Sequence, residues 1–94
     1  MKMSFNEEQL KEIEEMAYLL ISPALIAVNF EIPEYEMRQY LKDEDSPVYK
    51  AFYKGLLLQK MNLHRSIIKA AANGSNPAQE QIKDMLDAIE TNIG

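Results

Sequence analysis

Each of the four prolines in this chain stands at the head of a run with helical apolar spacing, and this cuts the chain into helices. Proline is tolerated in the first turn of a helix, where its missing N–H would have no intrahelical partner, but it breaks a helix interior. Ser22-Pro23 opens a short run through Ala24 to Phe30, and Pro33 opens another to Leu41. Ser46-Pro47 opens a long run to Ala72, and Ser75-Asn76-Pro77 opens the last. Upstream of all these, Ser4 or Asn6 can cap a helix whose first turn holds Glu7 and Glu8, acids favoured at the positive end of the helix dipole. Leu10, Ile13, Met16, Ala17 and Leu20 follow at helical spacing. Asn73-Gly74 ends the long helix, because these residues enter the left-handed conformation at little cost. The last helix has Ile82, Met85, Leu86, Ile89 and Ile93 as its apolar face. No segment alternates as a strand does. The expectation is an all-α chain of five helices forming a single helical domain over residues 1–94. Within it lie a helix-turn-helix over about 22–42, a long helix over about 47–72 and a C-terminal helix over about 77–91 that completes a helical hairpin.

Composition narrows the chemistry. With no cysteine there is no disulfide, thiolate ligand or thiol nucleophile, and one histidine, His64, does not make a metal site alone. Three glycines, none in a phosphate-cradling series, exclude a P-loop or dinucleotide fingerprint. A non-enzyme without metal or cofactor is expected, and His64 is read as a surface or boundary side chain. No apolar run reaches the length of a membrane span, and Met1 to Glu8 lacks a signal-peptide core. A soluble, cytoplasmic chain is expected.

The segment Ile26 to Leu41, IAVNFEIPEYEMRQYL, carries the one local pattern with functional content. A helix-turn-helix needs a small residue where its helices cross, and Ala27 supplies it. Phe30 and Ile32 are the apolar residues flanking the turn. Met37, Tyr40 and Leu41 give the second helix its buried face. The outward face then carries Glu34, Tyr35, Arg38, Gln39 and Lys42, side chains that reach base edges or phosphates in proteins of this design. Any tight helical hairpin wants the same small and apolar residues, so a purely architectural reading stands beside the DNA-binding one. Two features depart from the usual pattern. Glu31 occupies the turn position where glycine is common, and Glu34, Glu36, Asp43, Glu44 and Asp45 make the second helix and its exit acidic. Like charge against phosphate lowers affinity, so tight binding by a single copy is not expected.

The chain carries ten basic and fifteen acidic residues, a formal charge of −5, yet residues 46–73 hold Lys50, Lys54, Lys60, Arg65 and Lys69 and no acid. Either these contact phosphates or they neutralise acidic neighbours within the fold. Lys54, Arg65 and Lys69 fall within about 60° of one another around a helix, while Lys60 points elsewhere. The same helix is apolar on two sides. Val48, Phe52, Leu56, Leu63, Ile67 and Ala70 make one stripe; Leu57, Met61 and Ile68, flanked by Leu58, make a second. One stripe suffices for one core, so Leu57, Met61 and Ile68 are expected at a contact between subunits, or against the C-terminal helix. Gly55 in mid-helix indicates close approach of another helix. Tyr35, Tyr40, Tyr49, Phe52 and Tyr53 are read as core and boundary residues in preference to base-stacking ones.

The helix-turn-helix from Ile26 to Leu41, the phrase DSPVYKAFYKG (Asp45 to Gly55) and the hinge KAAANGSNPAQ (Lys69 to Gln79) together resemble the small terminase subunits of tailed phages and their prophage relatives. The resemblance covers roughly residues 20–90. It implies a non-enzymatic DNA-packaging protein that recognises phage DNA, assembles as a homo-oligomeric ring and brings the large terminase subunit to the DNA, inside a bacterial or phage-infected cell. Carried over, Glu34, Tyr35, Arg38 and Gln39 would read duplex DNA, while the two-sided long helix and the segment after Gly74 would make subunit contacts. Such subunits usually continue beyond the length seen here. Two other classes fit the residues: a small helix-turn-helix regulator of transcription, and a helical protein-binding module that binds no DNA.

Overall fold

The computed structural model describes residues 4–93; the reading of the chain start for a leader includes residues 1–3, which lie outside them. The described residues form α1 (Glu7–Tyr18), α2 (Pro23–Asn29), α3 (Glu34–Tyr40), α4 (Pro47–Ala72) and α5 (Asn76–Ile93), with no strand among them. The protein is all-α. It divides into two compact units, one running to Gln59 and the other beginning at Lys60, where the sequence suggests one domain.

Local cap chemistry sets the helix starts. Of the two candidates for α1, Asn6 is the cap: its Oδ1 accepts from the Gln9 N–H at 2.8 Å, and the Gln9 side chain accepts from the Asn6 N–H at 3.0 Å. This reciprocal pair satisfies two backbone donors that the helix leaves orphaned. Ser22 Oγ accepts from Leu25 N–H at 3.3 Å at the head of α2, with Pro23 behind it. Ser46, itself buried, accepts from Val48 N–H at 3.2 Å at the head of α4. Pro33 differs from expectation. It caps α3 in an extended conformation (φ −64°, ψ 147°) and the helix begins one residue later.

Three helices stop in the same way, with only one of the three using glycine. At the end of α1, Leu20 N–H donates to the Ala17 carbonyl and Ile21 N–H to the Met16 carbonyl; Glu31 and Ile32 repeat this at the end of α2, and Gly74 and Ser75 at the end of α4. This pairing requires a left-handed residue, and Leu20 (φ 63°), Glu31 (φ 56°) and Gly74 (φ 95°) provide it. Leu20 is thereby removed from the apolar face of α1, where its spacing puts it, and is 68% exposed. The left-handed conformation costs a residue with a Cβ about 1–2 kcal/mol, part of which glycine returns as unfolded-state entropy. Leu20→Gly and Glu31→Gly are each expected to stabilise the chain by about 0.5–1 kcal/mol, read from chemical denaturation midpoints. A loss of stability in either would show that the side chain earns its strained backbone through contacts of its own.

The core of the first unit gathers Ile13 and Ala17 from α1, Ile26 and Ala27 from α2, Met37 and Tyr40 from α3, and Val48 and Phe52 from α4. Ala27 is buried, and α2 packs directly on α3. Phe5 closes one side, edge-on to Phe30 (ring centroids 5.4 Å apart) and to Tyr40 (5.6 Å). Polar ties link the helices at the margin. Asn29 Nδ2 donates to Glu12 Oε1 at 2.9 Å, and Gln59 Nε2 donates to the Tyr18 carbonyl at 2.7 Å, satisfying an acceptor at the end of α1. Gly55 is buried against α1, where an added Cβ would stand 2.8 Å from the Ala17 Cβ and would collide with the Glu14 carbonyl oxygen.

The second unit has far less interior. Among its described residues Ala71 and Ala78 are the buried ones, both beside the Gly74 turn. There Gln79 Nε2 donates to the Ala71 carbonyl at 3.2 Å, and Ser75 Oγ accepts from Ala78 N–H at 3.4 Å. No described helix is long and apolar enough to cross a membrane.

Candidate nucleic-acid interface

The seven residues of α3 divide cleanly between anchor and display. Met37 and Tyr40 are buried, and Tyr40 Oη donates to Glu36 Oε2 at 2.9 Å, one turn back on the helix. Opposite this anchored face, Glu34, Tyr35, Arg38 and Gln39 are exposed, as is Lys42 just beyond the helix. All five outward residues named from the sequence are therefore accessible to solvent.

Within that set the charges interact. Arg38 Nε lies 3.3 Å from Glu34 Oε2, one helical turn apart, with about half of each side chain in solvent. An exposed pair of this kind contributes little, about 0–1 kcal/mol, so it positions the guanidinium without committing it. A phosphate or a guanine edge offering two acceptors competes well for the same group. At the exit of α3 the acids are arranged by backbone needs. Asp43 Oδ1 accepts from Asp45 N–H at 3.0 Å, and the Asp43 carbonyl accepts from Ser46 N–H at 2.9 Å. This tight turn delivers the chain to the Ser46 cap.

Of the other candidate DNA contacts, Lys54 belongs to the first unit, Arg65 and Lys69 to the second. All three are exposed, as are Lys50 and Lys60. None of the five forms an ion pair among the described residues. The expected subunit-contact residues are also uncovered: Leu57 is 54% exposed, Met61 40% and Ile68 54%. Ile68 nevertheless lines a groove shared with α5, the second of the two placements its spacing allows. The stripe from Val48 to Ala70 is split. Val48 and Phe52 are in the core and Leu56 packs on it, while Leu63 lies in solvent.

The aromatic residues separate in the same way. Tyr40 and Phe52 are buried and Tyr49 is partly so, its ring tilted against that of Tyr53 with centroids 4.4 Å apart. Tyr35 and Tyr53 depart from the core reading: both are exposed, Tyr35 on the displayed face of α3. Sequence reasoning also passed over Leu19, Leu25 and Val28, which stand exposed at the end of α1 and on α2. Nothing local in the sequence marks them, because the left-handed stop that ends α1 uses Leu20 in place of glycine. His64 is partly exposed and lines the α4–α5 groove, and no cluster of three or more potential metal ligands occurs among the described residues. Comparison of the chain with protein-family models, with curated proteins and with solved structures finds no match.

Proposed function

We propose that this chain is a non-enzymatic DNA-binding adaptor, similar in kind to a phage small terminase subunit, which engages viral duplex DNA for packaging. The observation that carries the reading is the division of α3. Met37 and Tyr40 hold one face in the core, while Tyr35, Arg38, Gln39 and Lys42 stand exposed on the other. In a helix-turn-helix of this design α3 enters the major groove. Arg38 donates to guanine, Gln39 pairs with adenine, and Lys42 and Lys54 contact phosphates. Glu34, Glu36 and the Asp43–Asp45 acids oppose the phosphate field, so one copy binds weakly and several copies acting together bind usefully. The large terminase subunit is the protein partner this reading implies, and the cytoplasm of a bacterial or phage-infected cell its setting.

Fluorescence anisotropy with short duplexes across a salt series tests the proposal. Binding should be present at low salt and fall steeply as salt rises. Arg38→Ala should relax preference at one base pair by about 1–3 kcal/mol, while Lys54→Ala should weaken all sequences alike and reduce the salt slope by about one. Absence of binding at low salt would remove the DNA role. The helical protein-binding module would then be the better reading. A two-fold dimer on a palindromic site would instead favour the transcriptional regulator.

A further inference from the structure

The chain holds six asparagines, and the residue that follows each decides how readily its side chain reacts. Asparagine loses its amide when the backbone nitrogen of the next residue attacks the side-chain carbonyl carbon and closes a succinimide ring. A side chain on that next residue crowds the attack. Asn6, Asn29, Asn62 and Asn92 precede Glu7, Phe30, Leu63 and Ile93, and Asn76 precedes Pro77, whose nitrogen has no hydrogen to give up. Asn73 alone precedes glycine.

The fold places this pair in the open and puts a gate on it. Asn73 and Gly74 are both exposed beyond the end of α4. Apart from its chain neighbours, nothing lies within 4 Å of the point where a Gly74 side chain would begin. The gate is a hydrogen bond. Gly74 N–H donates to the Ala71 carbonyl at 3.0 Å, and the nitrogen must leave that bond and lose its proton before it becomes a nucleophile. Helix ends open at far lower free energy than a core does. Little opposes opening here, since Ala71 and Ala78 are the buried residues of this hairpin among those described.

We propose that Asn73 is a site of deamidation, and that the Gly74 stop is thereby a slow, one-way switch on the α4–α5 hairpin. The Gly74 nitrogen bonds to Asn73 Cγ while the Cγ–Nδ2 bond breaks; the Gly74 proton passes to solvent and ammonia leaves. Water then opens the ring at either carbonyl. Opening at Cγ gives aspartate, and opening at the Asn73 main-chain carbonyl gives isoaspartate. The sum is one water taken up and one ammonia released, with nothing oxidised or reduced. Isoaspartate routes the main chain through Cβ and Cγ, which adds a methylene between Asn73 Cα and the Gly74 nitrogen. The stop does not re-form across that longer link, because the Gly74 bond to Ala71 and the 3.1 Å bond from Ser75 N–H to the Ala70 carbonyl both depend on the original spacing. Either product also sets a carboxylate at the negative end of the α4 dipole. The ties just beyond, from Gln79 Nε2 to the Ala71 carbonyl and from Ala78 N–H to Ser75 Oγ, then lose their register. The switch involves no nucleic acid, so it stands or falls independently of the DNA reading.

The test is incubation of the full chain at body temperature over a pH series, followed by peptide mapping and isoaspartate detection. Asn73 should convert well ahead of the other five asparagines, with isoaspartate in excess over aspartate. The rate should rise with pH, as a deprotonated nitrogen requires, and be at least about fivefold higher in urea, where the bond to Ala71 is absent. Converted protein, separated by ion exchange, should show faster amide hydrogen exchange along α5 and less helix by circular dichroism. Asn73→Gln carried through the same incubation should keep both native values. An unmodified Asn73, or conversion of the other asparagines at the same pace, would overturn the site. Equal rates with and without urea would overturn the gate, and native exchange along α5 in the converted protein would overturn the switch.

Discussion

Ile26→Ala is expected to unfold the first unit at or near room temperature. Ile26 is among the three largest side chains that are completely buried, and α2, only seven residues long, is held to the core by Ile26 and Ala27 alone among its buried residues. Truncating a buried isoleucine to alanine costs about 2–5 kcal/mol through lost transfer energy and the cavity left behind. A single core in so small a unit rarely supplies more than about 3–5 kcal/mol, so the loss is comparable to the whole. The helix-propensity gain from alanine is a few tenths of a kcal/mol and does not offset it. Thermal and urea melts followed by circular dichroism check this. A melting temperature lowered by only a few degrees would mean that α2 is not what completes this core. Because α3 is seated on α2, DNA binding should be lost together with the fold and not selectively.

Gly55→Ala is the second large expected effect, and its sign is the informative part. In a helix interior the exchange of glycine for alanine normally stabilises by about 1 kcal/mol. Here the new methyl would meet the Glu14 carbonyl oxygen and stand 2.8 Å from the Ala17 Cβ. Neither neighbour is a flexible side-chain end, so α1 and α4 must separate, and overpacking of this kind costs about 1–3 kcal/mol. A net loss of about 1–2 kcal/mol is expected, measured as a lowered urea midpoint, with a branched residue at the same position worse. Stabilisation by alanine would show that α1 and α4 are not in close contact at this point.

The sequence was most informative where structure is decided locally. The bounds of α4 follow from Ser46-Pro47 and from Asn73-Gly74, because a side-chain cap and a left-handed glycine act within a turn of the residue that carries them. Ala27, Met37 and Tyr40 were placed correctly as the buried contacts of α2 and α3, since their spacing leaves no other face for them. Leu20 departs from its spacing for an equally local reason. A left-handed stop that uses leucine in place of glycine has no sequence signature, so periodicity continued α1 past its true end at Tyr18. Glu31 shows the opposite case: the position where related motifs use glycine is indeed left-handed, and the chain keeps glutamate there.

Other features lay beyond local reasoning. Hydrophobic spacing shows that Leu57, Met61 and Ile68 share one side of α4, but not what lies against that side. The division of the chain at Gln59–Lys60 occurs inside a continuous helix, where no proline, glycine or polar linker marks it. The Arg38–Glu34 pair is visible as a spacing of four, but whether it forms depends on both side chains lying along the same exposed face.

Whether the exposed face of α3 contacts duplex DNA, as proposed, is tested residue by residue by backbone chemical shifts of isotope-labelled protein titrated with a short duplex at low salt. The resonances of Tyr35, Arg38, Gln39 and Lys42 should move first and furthest, Lys54 should follow, and all of them should return as salt is added. Shifts confined to α5, or no shifts at all under conditions that favour electrostatic binding most, would contradict the proposal.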